Sequence, residues 1–136
     1  MDADKEIYEA IILDHHKFPR HYGKLADANY LKSGKNPNCG DLITLYLFIE
    51  GNCIKDVAYE AQGCAISRAS ASIMSSLIHE APLSKVEEYK NVVHNMLHEG
   101  TLPKDLEKYG DLIALSGIRE FPQRIKCVSL AWELLP

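Results

Sequence analysis

The sequence predicts an α+β domain, in which a small antiparallel sheet comes first and helices pack on one face of it. Three observations lead to this prediction. The chain has 136 residues, the usual size of one domain with one core, so we expect a single domain over residues 1–136. Two β-rich runs flank Gly51 and Asn52, a dipeptide suited to a tight hairpin turn. Beyond Gly63, the apolar residues recur mainly at helical spacing.

The first half of the chain predicts one helix and the strands of the sheet. Between Asp4 and His16 the apolar residues follow a helical spacing, with an Asp to cap the start and Pro19 beyond the end. The runs on either side of the Gly-Asn turn are rich in β-branched and aromatic residues, so they predict two antiparallel strands. A further short strand is expected around Tyr30, where the pattern is weaker.

The next two helices are predicted from their boundaries. A segment rich in small residues begins at Cys64, and Pro82 is expected to end it. Ser84 and Glu87 form a capping-box pattern, which predicts a helix from Ser84 to His98, followed by a glycine that suits its end. The small side chains of the first segment would let neighbouring helices approach it closely.

The C-terminal region is predicted to contain shorter helical pieces and one last helix. A short turn of helix is expected near Asp105, and another around Leu112 to Leu115. Pro122 is well placed to start a final helix that runs through Leu134, because proline suits the first turn of a helix.

Composition narrows the class of protein. A hydrophobic share of 46% with 25% charged residues is typical of an ordinary globular protein. The net charge of -4 argues against nucleic acid as a main partner, because such partners need clustered Lys and Arg. The longest apolar run, residues 42–49, is far shorter than the roughly 20 residues that cross a bilayer. The acidic N-terminus resembles no secretory signal, so we expect a cytoplasmic protein without a membrane partner.

Three of the four cysteines lie at the ends of predicted elements. Cys39 precedes a strand, Cys64 lies between a strand and a helix, and Cys127 is near the start of the last helix. Three thiolates with the oxygen of Asp41 would make a tetrahedral zinc site if these ends meet. No C-x-x-C pair is present, so the spacing leaves open that the cysteines are merely buried. Cys53 opens a strand and is expected to be a packing residue.

Three motifs carry a resemblance to a known family. The sequences NPNCGD, GCAISRASAS and FPQRIKCVSLAW resemble, in order and at similar separations, the cysteine motifs of the IscU and NifU N-terminal family of iron–sulfur cluster assembly proteins. The resemblance covers nearly the whole chain. It implies a SufE/IscU-like α+β fold in which Cys39, Asp41, Cys64 and Cys127 gather at an exposed end and bind the cofactor.

Two features resemble the SufU-like branch of that family. Lys126 stands where the housekeeping IscU scaffolds have a His, and an additional segment lies between the second and third motif cysteines. A protonated Lys has no lone pair for a metal, so Asp41 must complete the ligand set. The branch implies zinc as the cofactor and a pyridoxal-phosphate cysteine desulfurase of the SufS type as the partner. Arg124 and Lys126 are expected to lessen the negative charge of the site.

The resemblance also implies a role for each ligand. Cys39 is the predicted sulfur acceptor, because a turn releases a ligand at less structural cost than a helix does. In the resembled branch a histidine of the desulfurase then takes its place. The alternative is a scaffold that assembles a transient [2Fe–2S] cluster on the same residues and passes it to downstream apo iron–sulfur proteins.

The histidines have no assigned role in either function. His94 and His98 are four residues apart, but the segment lacks the Glu of an H-E-x-x-H motif, so exposed helix positions are expected. His15, His16 and His21 surround a segment of basic and aromatic residues. The sequence leaves open whether that segment is a solvated loop or part of a protein-binding face.

Overall fold

The computed structural model describes residues 2–136, and the side chains of residues 4–136. The predicted α+β fold is confirmed: a three-stranded antiparallel sheet in the order β1-β2-β3 has helices packed on it. The strands are β1 (Tyr30–Asn36), β2 (Asp41–Glu50) and β3 (Cys53–Gln62). The α-helices are α1 (Asp2–Lys17), α2 (Ala65–Ile78), α3 (Leu83–His94) and α4 (Ile125–Glu133).

The sheet forms around the predicted hairpin and buries one face. Glu50 pairs with Cys53, and both turn residues between them have positive φ angles, 58° and 60°, as a two-residue hairpin turn of this kind requires. In β2, alternate residues are fully buried, and the residues between them are half-buried. This alternation is typical of a sheet that packs against helices on one side. The short strand expected around Tyr30 is confirmed as β1, which pairs with β2.

Helix α2 lies at the centre of the helical layer, in contact with α1, α4 and β3. Its serine and alanine side chains are largely buried, so its neighbours can approach closely. Ser70 shows how the buried hydroxyls are satisfied: its Oγ donates to the carbonyl of Val128 at 2.7 Å and accepts from the indole of Trp132 at 2.9 Å. These bonds tie α2 to α4 and thereby fix one wall of the site described below.

Two predicted boundaries around Pro82 are wrong. Helix α2 ends at Ile78, four residues before Pro82, and Glu80 then takes a left-handed conformation. Helix α3 begins at Leu83, with Pro82 at the N-cap and no side-chain cap, so Ser84 and Glu87 do not form a capping box. The reason is a tertiary contact: the amide of Leu83 donates to the carbonyl of Asn52 in the hairpin turn at 2.9 Å. The hairpin therefore supplies a partner that a capping side chain would otherwise provide.

The helix predicted to reach His98 changes type before its end. The α-helical part stops at His94, and a π-helical turn spans Asn95–Glu99 before Gly100, which has a φ of 70° and closes the helix as expected. Met96 and Leu97 in this turn are both buried. Widening the turn lets two consecutive apolar residues face the core.

Helical pieces of 3-10 type follow, close to the predicted positions. One segment spans Glu107–Glu120 and is broken at Gly110, which has a non-helical backbone. Pro122 begins a 3-10 turn, Pro122–Arg124, rather than α4 itself, which starts at Ile125. Within residues 2–136, none of the helices is both long enough and apolar enough to cross a membrane.

Candidate metal centre

The turn between β1 and β2 brings the first cysteine and the aspartate together. Asn36 and Asp41 are cross-strand partners at the ends of the two strands, and both are buried. The four residues between them form the turn, which the amide of Cys39 closes by donating to the carbonyl of Asn36 at 3.2 Å. Gly40 supplies a φ of 71° that few other residues adopt. Cys39 is thus half-buried on a turn, above a buried carboxylate.

Asp41 is held by two hydrogen bonds. Its Oδ1 accepts from the backbone amide of Cys64 at 3.0 Å, and its Oδ2 accepts from Asn36 Nδ2 at 3.2 Å. Gly63 makes the first contact possible, because a Cβ at this residue would lie 2.1 Å from Asp41 Oδ1. The junction between β3 and α2 is therefore bound directly to the start of β2.

Cys127 enters the site from α4. Its side chain is fully buried, and its Sγ donates to Cys39 Sγ at 3.4 Å. Asn36 Nδ2 also lies 3.7 Å from the same sulfur. Burial, followed by hydrogen bonding with Cys39 and Cys64, raises the pKa of the Cys127 thiol. The thiol is thus protonated at neutral pH until a cation replaces its proton.

Three of the four predicted ligands form one cluster. Cys39, Asp41 and Cys127 each offer a ligand atom, and these atoms all lie within 4.8 Å of one another. Ligand bonds of about 2.0 to 2.3 Å around tetrahedral zinc separate neighbouring ligand atoms by roughly 3.5 Å. The two sulfurs, 3.4 Å apart, already have this separation, and the carboxylate oxygen lies within 4.8 Å of both. Sulfur and carboxylate oxygen are also ligands that zinc accepts.

Cys64 adjoins the cluster, but its thiol has another partner. It is the N-cap residue of α2, and its Sγ accepts from the amide of Ser67 at 3.4 Å. Its own backbone amide is bound to Asp41. A rotation of the Cys64 side chain would release the helix amide and turn the sulfur to a new partner, while the backbone stays in place.

The two predicted supporting charges lie in different surroundings. Arg124 lines the same cleft as Cys64. The pKa of its guanidinium is raised, first by hydrogen bonding to Cys127 and then by the charge that a Cys64 thiolate would carry. Lys126 is exposed, and its Nζ donates to both carboxylate oxygens of Glu133, at 2.9 and 2.8 Å. Arg124 therefore lies on the same side of the molecule as Cys64, whereas Lys126 has an acidic partner of its own.

Access to the site is from an open cleft. A cleft of about 770 Å³ runs between α1, the start of α2 and the segment before α4, and Cys64 and Arg124 line it. Most of its other lining is apolar, including Leu13 and Phe121, which are both about half exposed. The cleft therefore opens the site at Cys64, the one cysteine among its lining residues.

Sequence reasoning missed two residues of the site. No sequence pattern assigns a role at the site to Asn36, although its side chain contacts both Asp41 and Cys127. None assigns one to Gly63 either, although Asp41 occupies the space where a side chain would be. The one signal for Asn36 is its place in the motif NPNCGD, three residues before the cysteine.

The remaining candidates lie outside the cluster. His15 is buried, with Nδ1 2.8 Å from Ser72 Oγ and Nε2 2.7 Å from Asp111 Oδ2, so it joins α1 to two other segments. His94 and His98 are exposed on α3 and its π-helical turn, as predicted. Cys53 is half-buried at the start of β3.

Comparison with known families agrees with this geometry. The chain matches the family described as NifU-like N terminal domain over residues 7–128. It belongs to that family. The predicted relationship to the IscU and NifU N-terminal proteins is therefore confirmed, and the match contains all three motif cysteines, Cys39, Cys64 and Cys127.

Individual relatives of this NifU-like domain are of two kinds. The chain is 36% identical over 129 residues to the zinc-dependent sulfurtransferase SufU of Bacillus subtilis, covering 95% of this chain and 86% of that protein. It is 37% identical over 131 residues to the iron–sulfur cluster assembly scaffold protein IscU of Thermotoga maritima, covering 96% and 91%. The crystal structure of FiSufU from Fervidobacterium islandicum AW-1 is similar with a TM-score of 0.86 and 34% identity, covering 96% of this chain and 94% of that one.

Proposed function

We propose that this chain acts in iron–sulfur cluster assembly as a zinc-dependent sulfurtransferase, which accepts persulfide sulfur from a cysteine desulfurase of the SufS type. The observation that carries the proposal is the cluster of Cys39, Asp41 and Cys127, with all ligand atoms within 4.8 Å. Cluster assembly is the function named for the T. maritima relative, and zinc-dependent sulfur transfer is the activity named for the B. subtilis relative.

Cys39, Asp41, Cys64 and Cys127 are the proposed ligands. When bound, zinc supplies a redox-inert charge that keeps the thiols deprotonated at neutral pH. Three thiolates and a carboxylate around Zn²⁺ would leave a formal charge of about -2, which Arg124, in the cleft that Cys64 lines, would lessen. Asp41 is anchored by two hydrogen bonds and Cys127 is buried in α4, so these two residues are suited to stay in place.

Cys39 is the proposed sulfur acceptor. It is half-buried on a turn, so its side chain can move without displacing a helix. Its thiolate attacks the outer sulfur of the donor persulfide, a bond forms between Cys39 Sγ and that sulfur, and the donor cysteine leaves as a thiolate. The transfer exchanges one S–S bond for another, so it needs no oxidant or reductant.

The proposed partner and compartment follow from this step. A persulfide is produced by a pyridoxal-phosphate cysteine desulfurase, and a SufS-type enzyme fits the branch that the sequence resembles. The receiving thiol must be reduced, so we place the protein in the cytoplasm. Downstream cluster-assembly or apo iron–sulfur proteins would then receive the sulfur.

Substitution of Cys39 tests the proposed acceptor. With Cys39→Ala, stimulation of alanine production by the desulfurase should be abolished, because no thiolate remains at the turn. Cys53→Ala is the matched control, since Cys53 is also half-buried but lies outside the cluster, and it should stimulate as the wild type does. Full stimulation by Cys39→Ala would exclude this residue as the acceptor.

A scaffold for a [2Fe–2S] cluster is the second candidate function. The T. maritima scaffold protein is as similar to this chain as the B. subtilis sulfurtransferase is, at 37% and 36% identity. Metal analysis and a visible spectrum of anaerobically purified protein separate the two functions. Colourless protein with about one zinc per chain supports sulfur transfer, whereas brown protein with iron and sulfide supports the scaffold.

A further inference from the structure

Helix α2 contains four fully buried serines, Ser67, Ser70, Ser72 and Ser75. Three of them have hydrogen-bond partners. Ser70 is bound to α4, Ser72 Oγ lies 2.8 Å from His15 Nδ1, and Ser75 Oγ donates to the carbonyl of Ser72 at 2.7 Å. Among the buried serine hydroxyls of residues 4–136, only that of Ser67 has no partner.

The unpaired hydroxyl of Ser67 is unfavourable, because a buried hydroxyl has lost its hydrogen bonds to water. A serine inside a helix often avoids this cost by donating to the carbonyl three or four residues before it. For Ser67 those carbonyls belong to Cys64 and Gly63, and the carbonyl of Cys64 accepts from the amide of Arg68 at 3.1 Å. Buried groups without a partner are rare in folded proteins, and they accompany strain, a bound water or ion, or a functional role.

Ser67 lies at the end of α2 that adjoins the candidate metal centre. It is the third residue of the helix, and its amide donates to the Sγ of the N-cap residue Cys64 at 3.4 Å. Side chains of an α-helix are tilted towards its N-terminus, so the hydroxyl is directed to the end that carries Cys64. Residues three apart share a helix face, so Ser67 is also on the side where Ser70 contacts Val128, the residue after Cys127.

The sulfur of Cys64 becomes a better acceptor for this hydroxyl when it loses its proton. A thiol sulfur is a weak acceptor, whereas a thiolate carries a charge and accepts a charge-assisted hydrogen bond. If the sulfur turns towards the cluster of Cys39, Asp41 and Cys127, the amide of Ser67 is fixed in the helix and cannot follow it. The hydroxyl can follow, because it rotates about the Cα–Cβ bond.

We propose that Ser67 is a positioning residue of the metal centre, whose hydroxyl donates a hydrogen bond to the sulfur of Cys64 when this cysteine is a thiolate ligand. The inference rests on the proposed function, because it takes Cys64 to be a ligand of the zinc ion. A hydrogen bond to a ligating atom orients the ligand and tunes its charge. The hydroxyl thereby holds the Cys64 sulfur in the ligand position, in competition with the amide that holds it in the capping position.

Two measurements on the substitution Ser67→Ala test this role. The zinc affinity of the full chain, measured by competition with a chelator under reducing conditions, should fall about tenfold or more, as is usual when a residue that supports a metal ligand is removed. The urea midpoint of the metal-free protein should stay the same or rise, because alanine removes a buried hydroxyl that has no partner there. A residue with a purely structural role would lower the midpoint instead.

Ser70→Ala is the matched control, since Ser70 is equally buried on the same helix but has two partners. It should lower the urea midpoint of the metal-free protein and weaken zinc binding less than Ser67→Ala does. An affinity loss in Ser67→Ala no larger than in Ser70→Ala would overturn the proposal, and so would a fall in midpoint as large as that of Ser70→Ala. Absence of zinc binding by the wild type would instead contradict the proposed function, and this inference with it.

Discussion

Asp41 is fixed in the candidate metal centre by two neighbours of ordinary residue type. The side-chain amide of Asn36 donates a hydrogen bond to one carboxylate oxygen of Asp41, and the absence of a side chain at Gly63 leaves room for the other oxygen. A buried carboxylate without such partners would be costly, because its negative charge would lie unpaired away from water. The hydrogen bonds keep Asp41 oriented towards the sulfurs, so the cluster is assembled before a cation binds.

Replacement of Gly63 by alanine should disrupt this arrangement. In Gly63→Ala the new Cβ would come within 2.1 Å of Asp41 Oδ1, and the φ of 129° strains any side chain. We expect a loss of about 1 to 3 kcal/mol in the free energy of unfolding, measured in urea, and a loss of bound zinc on dialysis. Gly117→Ala is the control, because nothing lies within 4 Å of a Cβ there, and it should retain both properties. Full zinc retention by Gly63→Ala would contradict this role.

At the scale of single residues, the candidate ligands could be named from the sequence, but the residues that hold them in place could not. The positions of the thiols at element ends suggested a shared site but left open that the cysteines are merely buried. It was the resemblance of the three cysteine motifs to a known family that selected Cys39, Asp41, Cys64 and Cys127. The roles of Asn36 and Gly63 depend on distances across strands and junctions, which a linear pattern does not contain. The side-chain orientation of Cys64 was not predicted either. A local hydrogen bond determines it, because the Cys64 sulfur accepts from the amide of Ser67 in the first turn of α2.

Helix α2 depends on Cys64 for its N-terminal cap. A side chain that accepts a hydrogen bond from the first turn satisfies an amide that would otherwise lack an intrahelical partner. Here the acceptor is sulfur, at 3.4 Å from the amide of Ser67. Without a metal ion, the Cys64 side chain caps α2; with a metal ion, it is a proposed ligand. Metal binding would therefore change the hydrogen bonding at the start of α2.

Two substitutions of Cys64 separate these roles. In metal-free protein, Cys64→Ala should lower the free energy of unfolding by about 1 kcal/mol, because the cap is lost. Cys64→Ser should cost less, because serine is a good cap. Both variants should bind zinc more weakly than the wild type. Denaturant unfolding of the metal-free proteins measures the first effect, and competition with a chelator measures the second. Equal stability of the two variants would show that the side chain does not cap α2.

The elements themselves were predicted where local sequence decides them. The hairpin at Gly51 and Asn52, the short strand β1 and the glycine end of the α3 region follow from turn chemistry and periodicity. The capping box at Ser84 failed because Leu83 finds its partner in the hairpin turn, a contact between distant segments. The π-helical turn also serves the packing of Met96 and Leu97, which local propensity does not predict.

Across the whole molecule, the candidate metal centre joins two regions that are distant in sequence. The β1–β2 turn and the start of β2 supply Cys39 and Asp41, and α4 supplies Cys127. A ligand that binds only the assembled site stabilises the whole fold. Zinc should therefore affect the global stability of the protein rather than one loop.

Removal of zinc should lower the melting temperature of the whole chain. At free zinc about 1,000 times the dissociation constant, binding contributes about 4 kcal/mol, which corresponds to a shift of more than about 10 °C for a domain of this size. Calorimetry with and without a chelator under reducing conditions measures the shift. Cys127→Ser should lose most of it, whereas Cys53→Ser should retain it. An unchanged melting temperature in the wild-type protein after zinc removal would mean that the cluster does not hold the two regions together through a bound ion.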